Sequence, residues 1–307
     1  NVLVINGGDG TIHHTLNAAL DLVAAAEAAL GCGPLPLPRF VFVNGGGMNM
    51  VARAFGTRGH PERTVGAFLG RSLRSRLGAV PVRPLPLLEV EEPDGFRRHG
   101  MIFGSEVVLN ALTLYERYGQ GYQGLAKFLT AAGVGYALRN ETWRRYGHLL
   151  DPRETPLVVD PASDGATSWA RYTSVVATTV PMTLARGLIA TVPHAATPGT
   201  FNGLVVHETR TARVLAAVPS LLRGWPAPGV RYLEAAHALG LHGPYTLDGE
   251  RITHLWPPGE EPGAAPEGGR HPAADVRGAS ESDAGDPTTR LRVRGSTRSL
   301  WAVAFDG

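Results

Sequence analysis

Hydrophobic and polar positions follow two different textures along this chain. In the first part, short unbroken apolar runs alternate with longer stretches of helical period. Val2-Leu3-Val4-Ile5 and Phe40-Val41-Phe42-Val43 are four-residue runs of β-formers without a polar interruption, the pattern of strands buried on both faces. The first run enters Asn6-Gly7-Gly8-Asp9-Gly10-Thr11 and a helix predicted over residues 12–30. The second enters Asn44-Gly45-Gly46-Gly47-Met48-Asn49 and a helix beginning at Met50. A further helix is predicted over 61–77, with Val65, Phe68, Leu69 and Leu73 on one side. Strands alternating with helices predict βαβ units and a parallel sheet over residues 1–78. From about Ala79 the texture becomes short β-rich runs, at 87–90, 98–103, 157–159, 172–179, 188–192 and 204–208. Helical stretches interrupt them at 112–137 and 212–222. That pattern predicts an antiparallel β-sandwich over residues 79–256. Residues 257–289 hold Pro, Gly, Ala, Ser and acids with almost no apolar residue beyond Val276, and are expected to be a disordered loop. The apolar runs Leu291-Arg292-Val293 and Leu300 to Phe305 read as terminal strands, and segment 290–307 is expected to rejoin the first domain.

The two glycine-rich turns carry the candidate chemistry. Glycine lacks a Cβ, so backbone amides of Gly7, Gly8, Gly10 and Thr11, and of Gly45, Gly46 and Gly47, can close on a phosphate. Each following helix points its positive end at the same place. Two such turns lie at one edge of a parallel sheet, where ligands bind in open α/β folds. Asp9 stands in the first turn, where a carboxylate can hold a magnesium ion or take a proton. The competing role for Asp9 is an Asx turn that caps the helix. Asn49 offers a hydrogen-bonding side chain to a nucleotide, and the alternative for its loop is a turn required only by the backbone. Asp248-Gly249 is a strong hairpin signal that also projects Glu250 into a cleft. His13 and His14 are neighbours about 100° apart on a helix, which reads as a poor metal pair and a cap-region and surface pair.

These motifs, in this order, resemble the diacylglycerol kinase catalytic-domain superfamily, which includes bacterial lipid kinases and sphingosine kinases and, more distantly, NAD kinases. Gly7-Gly8-Asp9-Gly10-Thr11 is similar to its first signature, and Asn44 through Arg53 falls in the frame of its second loop. Leu247-Asp248-Gly249-Glu250 resembles its Asp-Gly-Glu, and Pro193-His194-Ala195 with Phe201-Asn202-Gly203-Leu204 resembles a further segment. The resemblance implies a nucleotide domain followed by a β-sandwich, with the active site in the cleft between. It implies Asp9 and Glu250 as catalytic residues and Asp9 as a magnesium ligand. Gly7, Gly8, Gly10, Thr11, Gly45, Gly46, Gly47 and Asn49 would bind ATP, and Glu106 would lie near the acceptor head group. The chain departs from the family at His14, Gly47, Met50, Pro86 and Asn202, where Glu, Thr, Asp, Asp and Asp are usual. The family's first strand and its Asn-Pro-x-x-Gly loop do not precede Val2, so the chain reads as start-truncated.

Charge and composition narrow the partners. The formal net charge of +2 gives no argument for nucleic acid, and Lys127 is the sole lysine in an arginine-dominated basic set. Cys32 is alone, which excludes an internal disulfide and fits a reducing cytoplasm. No apolar run reaches the ~20 residues of a membrane span, so a lipid acceptor would be met at the membrane surface. The expected activity is ATP-dependent phosphorylation of a hydroxyl on a diacylglycerol-like or sphingoid lipid, with Mg2+, by a peripheral cytoplasmic protein for which a homodimer is an open option. Two alternatives stand beside it: a catalytically impaired nucleotide- or lipid-binding relative, and an NAD kinase-like enzyme acting on a soluble substrate. Tyr115, Tyr118, Tyr122 and Phe128 read as core or as lipid contacts.

Overall fold

The computed structural model describes residues 1–47, 49–75, 81–115, 121–140, 143–144, 147, 151–160, 166–184, 189–223, 225–255, 290–298 and 300–305. The expected loop 257–289 and the side chains of Tyr115, Tyr118, Tyr122 and Phe128 lie outside the described residues.

The two apolar runs form parallel neighbours, β1 (Val2–Gly7) and β2 (Arg39–Asn44), in register from Val2 opposite Arg39 to Gly7 opposite Asn44. Only β2 is buried on both faces as expected; β1 stands at the end of its sheet, where Val4 is 42% exposed. The helix between them, α1 (Asp9–Leu30), buries Ile12, His13, Leu16 and Leu20. Spacings of three and four keep that stripe on one face, against Phe40, Phe42 and Val51. Each fully buried Leu or Ile there contributes about 2 kcal/mol. After β2 come α2 (Met50–Ala54) and α3 (Pro61–Ser75). Helix α3 presents Val65 and Phe68 to Val41, Val43 and Val303 on the other sheet face, which is too narrow to cover the rest of its predicted apolar side. Leu69 and Leu73 are therefore exposed, at 51% and 83%.

The change of texture near Ala79 precedes the change of sheet. Strand β3 (Val82–Leu85) still belongs to the first sheet, and β4 (Leu88–Glu91) is in another. The expected strand over 98–103 is two strands, β5 (Arg97–Gly100) and β6 (Ile102–Glu106), broken at Met101 because the amides of Met101 and Ile102 turn onto Asp248. Helices α4 (Val107–Tyr115) and α5 (Gly121–Leu138) occupy the region expected to be helical over 112–137. There follow β7 (Leu157–Asp160), β8 (Thr167–Trp169), β9 (Ser174–Thr178), β10 (Met182–Leu184), β11 (Ile189–Val192), β12 (Phe201–Val206) and α6 (Thr211–Leu222). The chain then forms β13 (Val230–Ala236), β14 (Ala238–Leu241), β15 (Tyr245–Leu247), β16 (Glu250–Ile252), β17 (Leu291–Gly295) and β18 (Leu300–Val303).

Three larger sheets result. The first runs β1-β2-β18-β3, parallel except for the β18–β3 pair. Two six-stranded antiparallel sheets, β13-β12-β9-β6-β15-β16 and β5-β4-β17-β14-β7-β8, share one core that includes Leu88, Val90, Phe103, Val175, Phe201, Leu239, Tyr245 and Val293. Strand β17 shows the period-two pattern, with Leu291 and Val293 inward and Arg292 and Arg294 outward.

Segment 290–307 divides between the sheets instead of rejoining the first alone, since β17 pairs with β4 and β14 while β18 pairs with β2 and β3. The chain thus crosses between the two parts twice, at Pro86-Leu87 and after Gly295. The Ser296 amide donates to the Leu87 carbonyl at 2.7 Å and ties the crossings together. Asn17 on α1 adds a second tie: its amide both donates to and accepts from the His99 backbone, at 2.7 and 2.8 Å.

Candidate functional site

The two Asn-Gly-Gly loops lie backbone against backbone at the ends of β1 and β2. The Gly45 amide donates to the Gly7 carbonyl at 3.3 Å. A Cβ added at Gly46 would stand 2.3 Å from the Gly8 Cα, and one at Gly45 would stand 2.7 Å from the Gly7 nitrogen. These glycines are required by the contact of one loop with the other. Gly10 differs, because a Cβ there would meet nothing within 4 Å, so that position faces open space.

Helix α1 starts at Asp9, three residues earlier than expected, and no side chain caps it at Gly8. Its first-turn amides lack intrahelical partners by geometry and form a ready anion site beside Gly10. Asp9 caps a different helix from the one expected. Its Oδ2 and Oδ1 accept the amides of Met50 and Val51, at 3.1 and 3.0 Å, and so close the N-terminus of α2. Burial pushes the Asp9 carboxyl up, the two amide bonds partly offset this, and the nearby charge of Asp248 raises it further.

The second loop is closed on itself. Asn49 is buried with left-handed backbone (φ 50), its Oδ1 accepts the Gly46 amide at 2.8 Å, and its Nδ2 donates to the Gly46 carbonyl at 2.5 Å. Both ends of its side-chain amide are thereby engaged, while Gly45, Gly46 and Gly47 remain exposed.

The other wall of the site is the β15–β16 hairpin. Asp248 (φ 52) and Gly249 (φ 88) form its two-residue turn, with both central residues at positive φ as a type I′ turn requires. The fully buried Asp248 carboxylate accepts the amides of Met101 and Ile102 at 2.9 and 2.8 Å and meets His13 Nδ1 at 3.1 Å. Glu250 follows on β16. Its Oε2 lies 3.0 Å from His13 Nε2 and 3.6 Å from His14 Nε2. His13 and His14 were expected to diverge, yet both reach the same carboxylate because Glu250 comes between them. Asp248 and His13 are the members that sequence reasoning missed. A histidine in step with Ile12, Leu16 and Leu20 on the buried stripe was the available signal.

Three solved structures share this arrangement of elements. One, a protein provisionally named a diacylglycerol kinase from Bacillus anthracis str. Sterne, superposes with a TM-score of 0.57 at 13% identity, over 99% of this chain and 78% of its own. A second structure under the same provisional name gives 0.55 at 12% identity over 99% and 78%. A third, of a diacylglycerol kinase from that organism, gives 0.53 at 14% identity over 99% and 77%. The likeness is one of fold. No protein-family model matches the sequence, and no curated protein matches it.

The remaining expected positions fall away from this junction. Glu106 ends β6, about 13 Å along the strand from Ile102. The resemblance implied a place near the acceptor head group; Glu106 is 8% exposed with φ 56, and its Oε1 lies 3.8 Å from Arg153 Nε. Asn202 serves a β-bulge, accepting the Ala235 amide at 2.9 Å and donating to the His194 carbonyl at 3.2 Å. An aspartate could not make the second bond. The Pro86 carbonyl accepts from Thr179 Oγ1 at 2.7 Å. Among the described residues no helix is long and apolar enough to cross a membrane.

Proposed function

We propose that this chain is an ATP-dependent kinase that phosphorylates a hydroxyl of a diacylglycerol-like or sphingoid lipid at a membrane surface. The observation that carries the reading is the position of Asp9: a desolvated carboxylate at the uncapped start of a 22-residue helix, beside the open face of Gly10. The likeness of fold to proteins named diacylglycerol kinases supports the same class.

In this reading the first-turn amides of α1 and the Gly8–Gly10 backbone hold the phosphates of ATP. Asp9 takes the proton of the acceptor hydroxyl, whose oxygen attacks the γ-phosphorus as the bond to the leaving ADP oxygen breaks. Burial suits Asp9 to this, since a raised pKa makes a carboxylate a stronger base. Each Asp9 oxygen accepts one backbone amide and keeps a further lone pair, so the donor set also fits a hard, oxygen-ligated ion such as Mg2+. Bound there, Mg2+ would neutralise charge on the transferring phosphate. Glu106 is the acceptor-side residue, held by Ser105 and Arg153.

One observation favours a second reading, a nucleotide- or lipid-binding relative without turnover: Asp9 and Asn49 are already engaged in closing α2 and the second loop. Radiolabelled transfer from ATP and Mg2+ to diacylglycerols and sphingoid bases in mixed micelles separates the two. Transfer that disappears in Asp9→Asn upholds the kinase. Nucleotide binding without transfer to any acceptor favours the second reading.

A further inference from the structure

The junction between α1 and the β15–β16 hairpin holds a donor set that includes Glu250, for which the resemblance implied a catalytic part and to which the transfer step proposed at Asp9 gives no task. Ligand atoms of His13, His14 and Glu250 all lie within 4.8 Å of one another. Two distances are shorter, 3.0 Å from His13 Nε2 and 3.6 Å from His14 Nε2 to Glu250 Oε2. Ligands about 2.1 Å from one tetrahedral ion stand roughly 3.4 Å apart, so these separations match atoms that share a metal.

A second observation points the same way. Glu250 Oε2 is buried and has no hydrogen-bond partner despite its closeness to His13. His13 stands between two carboxylates, with Nδ1 3.1 Å from Asp248 Oδ2 and Nε2 3.0 Å from Glu250 Oε2, so the nitrogen remote from Asp248 faces Glu250. The Asp248–His13 contact is itself the outer-shell device that orients metal-binding imidazoles, since a carboxylate on the far nitrogen fixes the tautomer and raises ligand basicity. Asp248 is held in place by two backbone amides and His13 is 2% exposed, so two of the four groups that shape the site are preorganised by the fold. His14 is exposed and completes the set from the solvent side.

We infer that His13, His14 and Glu250 form a zinc site, with Asp248 orienting His13 and a fourth position left to water or a ligand oxygen. Two imidazoles and one carboxylate are the donor set of open zinc centres. Imidazole nitrogen selects zinc, or cobalt in its place, against Mg2+, which demands oxygen. The inference stands independently of lipid phosphorylation, and its readout is metal binding and not turnover.

The test uses the whole chain stripped with EDTA and titrated with Co2+, followed by the visible absorption of the four-coordinate ion and competition with Zn2+. One equivalent is expected to bind with a tetrahedral spectrum that Zn2+ abolishes and excess Mg2+ leaves unchanged. Affinity should fall at least about 10-fold in both Glu250→Gln and His14→Ala, and stay the same in His194→Ala, whose side chain is exposed elsewhere. His14 is at the surface, so His14→Ala keeps the fold whatever becomes of the others, and far-UV circular dichroism verifies it. Failure to bind Co2+, binding equal in Glu250→Gln, His14→Ala and the parent, or displacement by Mg2+ would each overturn the inference.

Discussion

The two glycine loops share the letters Asn-Gly-Gly, follow parallel strands and touch each other, yet they end in opposite states. The first leaves the N-terminus of α1 without a side-chain cap, next to a glycine that faces open space. The second is sealed: Asn49 bonds both backbone groups of Gly46, and Asp9 reaches across to take the first two amides of α2. The repeat therefore does not make two equivalent turns. In the function proposed above, the first loop receives the phosphates and the second holds the first in shape, with Asp9 serving both. Resemblance between motifs fixes where loops meet; the hydrogen bonds around them assign the work.

Asp9→Asn attacks the shared residue and should have the largest effect. The amide keeps an oxygen for one of the α2 amides but loses the negative charge and the proton acceptor. Phosphoryl transfer is expected to drop by roughly 100-fold or more, the usual size of general-base catalysis. The loss in stability should stay near 1 kcal/mol, the size of a helix cap. Parallel transfer assays and urea melts measure the two. A variant that lost stability and kept its turnover would reduce Asp9 to a cap and erase the contrast between the loops.

Asp248→Ala probes the support behind the first loop, as Asp9→Asn probes that behind the second. It strips the buried amides of Met101 and Ile102 of their acceptor and leaves His13 without its partner. Unsatisfied buried donors cost about 1–3 kcal/mol each, so a loss of about 3 kcal/mol is expected in urea unfolding. Hydrogen exchange should rise in α1 more than in α2.

Much of this was legible in the sequence, for physical reasons that differ from place to place. The strands at Val2 and Phe40, and α1, were plain because four apolar residues in a row, or a 3.6-residue stripe, leave few alternatives. The Asp248-Gly249 turn was plain because few residue pairs accept two positive φ values in succession. Strands β13 and β14 were not, since Arg231, Glu234, Ala235 and Gly240 interrupt their alternation and pairing partners far along the chain decide their fate. The convergence of His13, Asp248 and Glu250 also depends on contacts more than 230 positions apart, which no local spacing encodes. For the same reason Asp9 could be marked as important while the helix it caps was misassigned.

A pair of alanines separates the loops at lower cost. Gly46→Ala puts a methyl group 2.3 Å from the Gly8 Cα, so the loops must part, and a destabilisation of about 1–3 kcal/mol is expected from overpacking. Gly10→Ala meets nothing and lies in a helix, so it should stabilise the fold by about 0.5–1 kcal/mol. If the Gly10 face receives phosphate, the same methyl should raise the KM for ATP although the protein has become more stable. A more stable variant with unchanged ATP kinetics would move the nucleotide away from the first loop.

The smallest effect is a dependence on pH that has opposite signs at two carboxylates. Burial raises Asp9, so the folded chain binds its proton more tightly than the unfolded chain does. Its contribution is complete below about pH 4 and is lost as pH rises through the folded value. Glu92 behaves in reverse: burial pushes it up, but hydrogen bonds from Tyr245, Arg98 and His254 more than offset that and hold it low. Its contribution is present above the usual glutamate range and is lost on acidification. Urea melts from pH 3 to pH 7 should therefore show the stability of the parent relative to Asp9→Asn declining as pH rises, and relative to Glu92→Gln increasing. A parallel rise for both pairs would mean that the charge on Asp9 is stabilised where the loops meet, and the junction would then already be satisfied without an added cation.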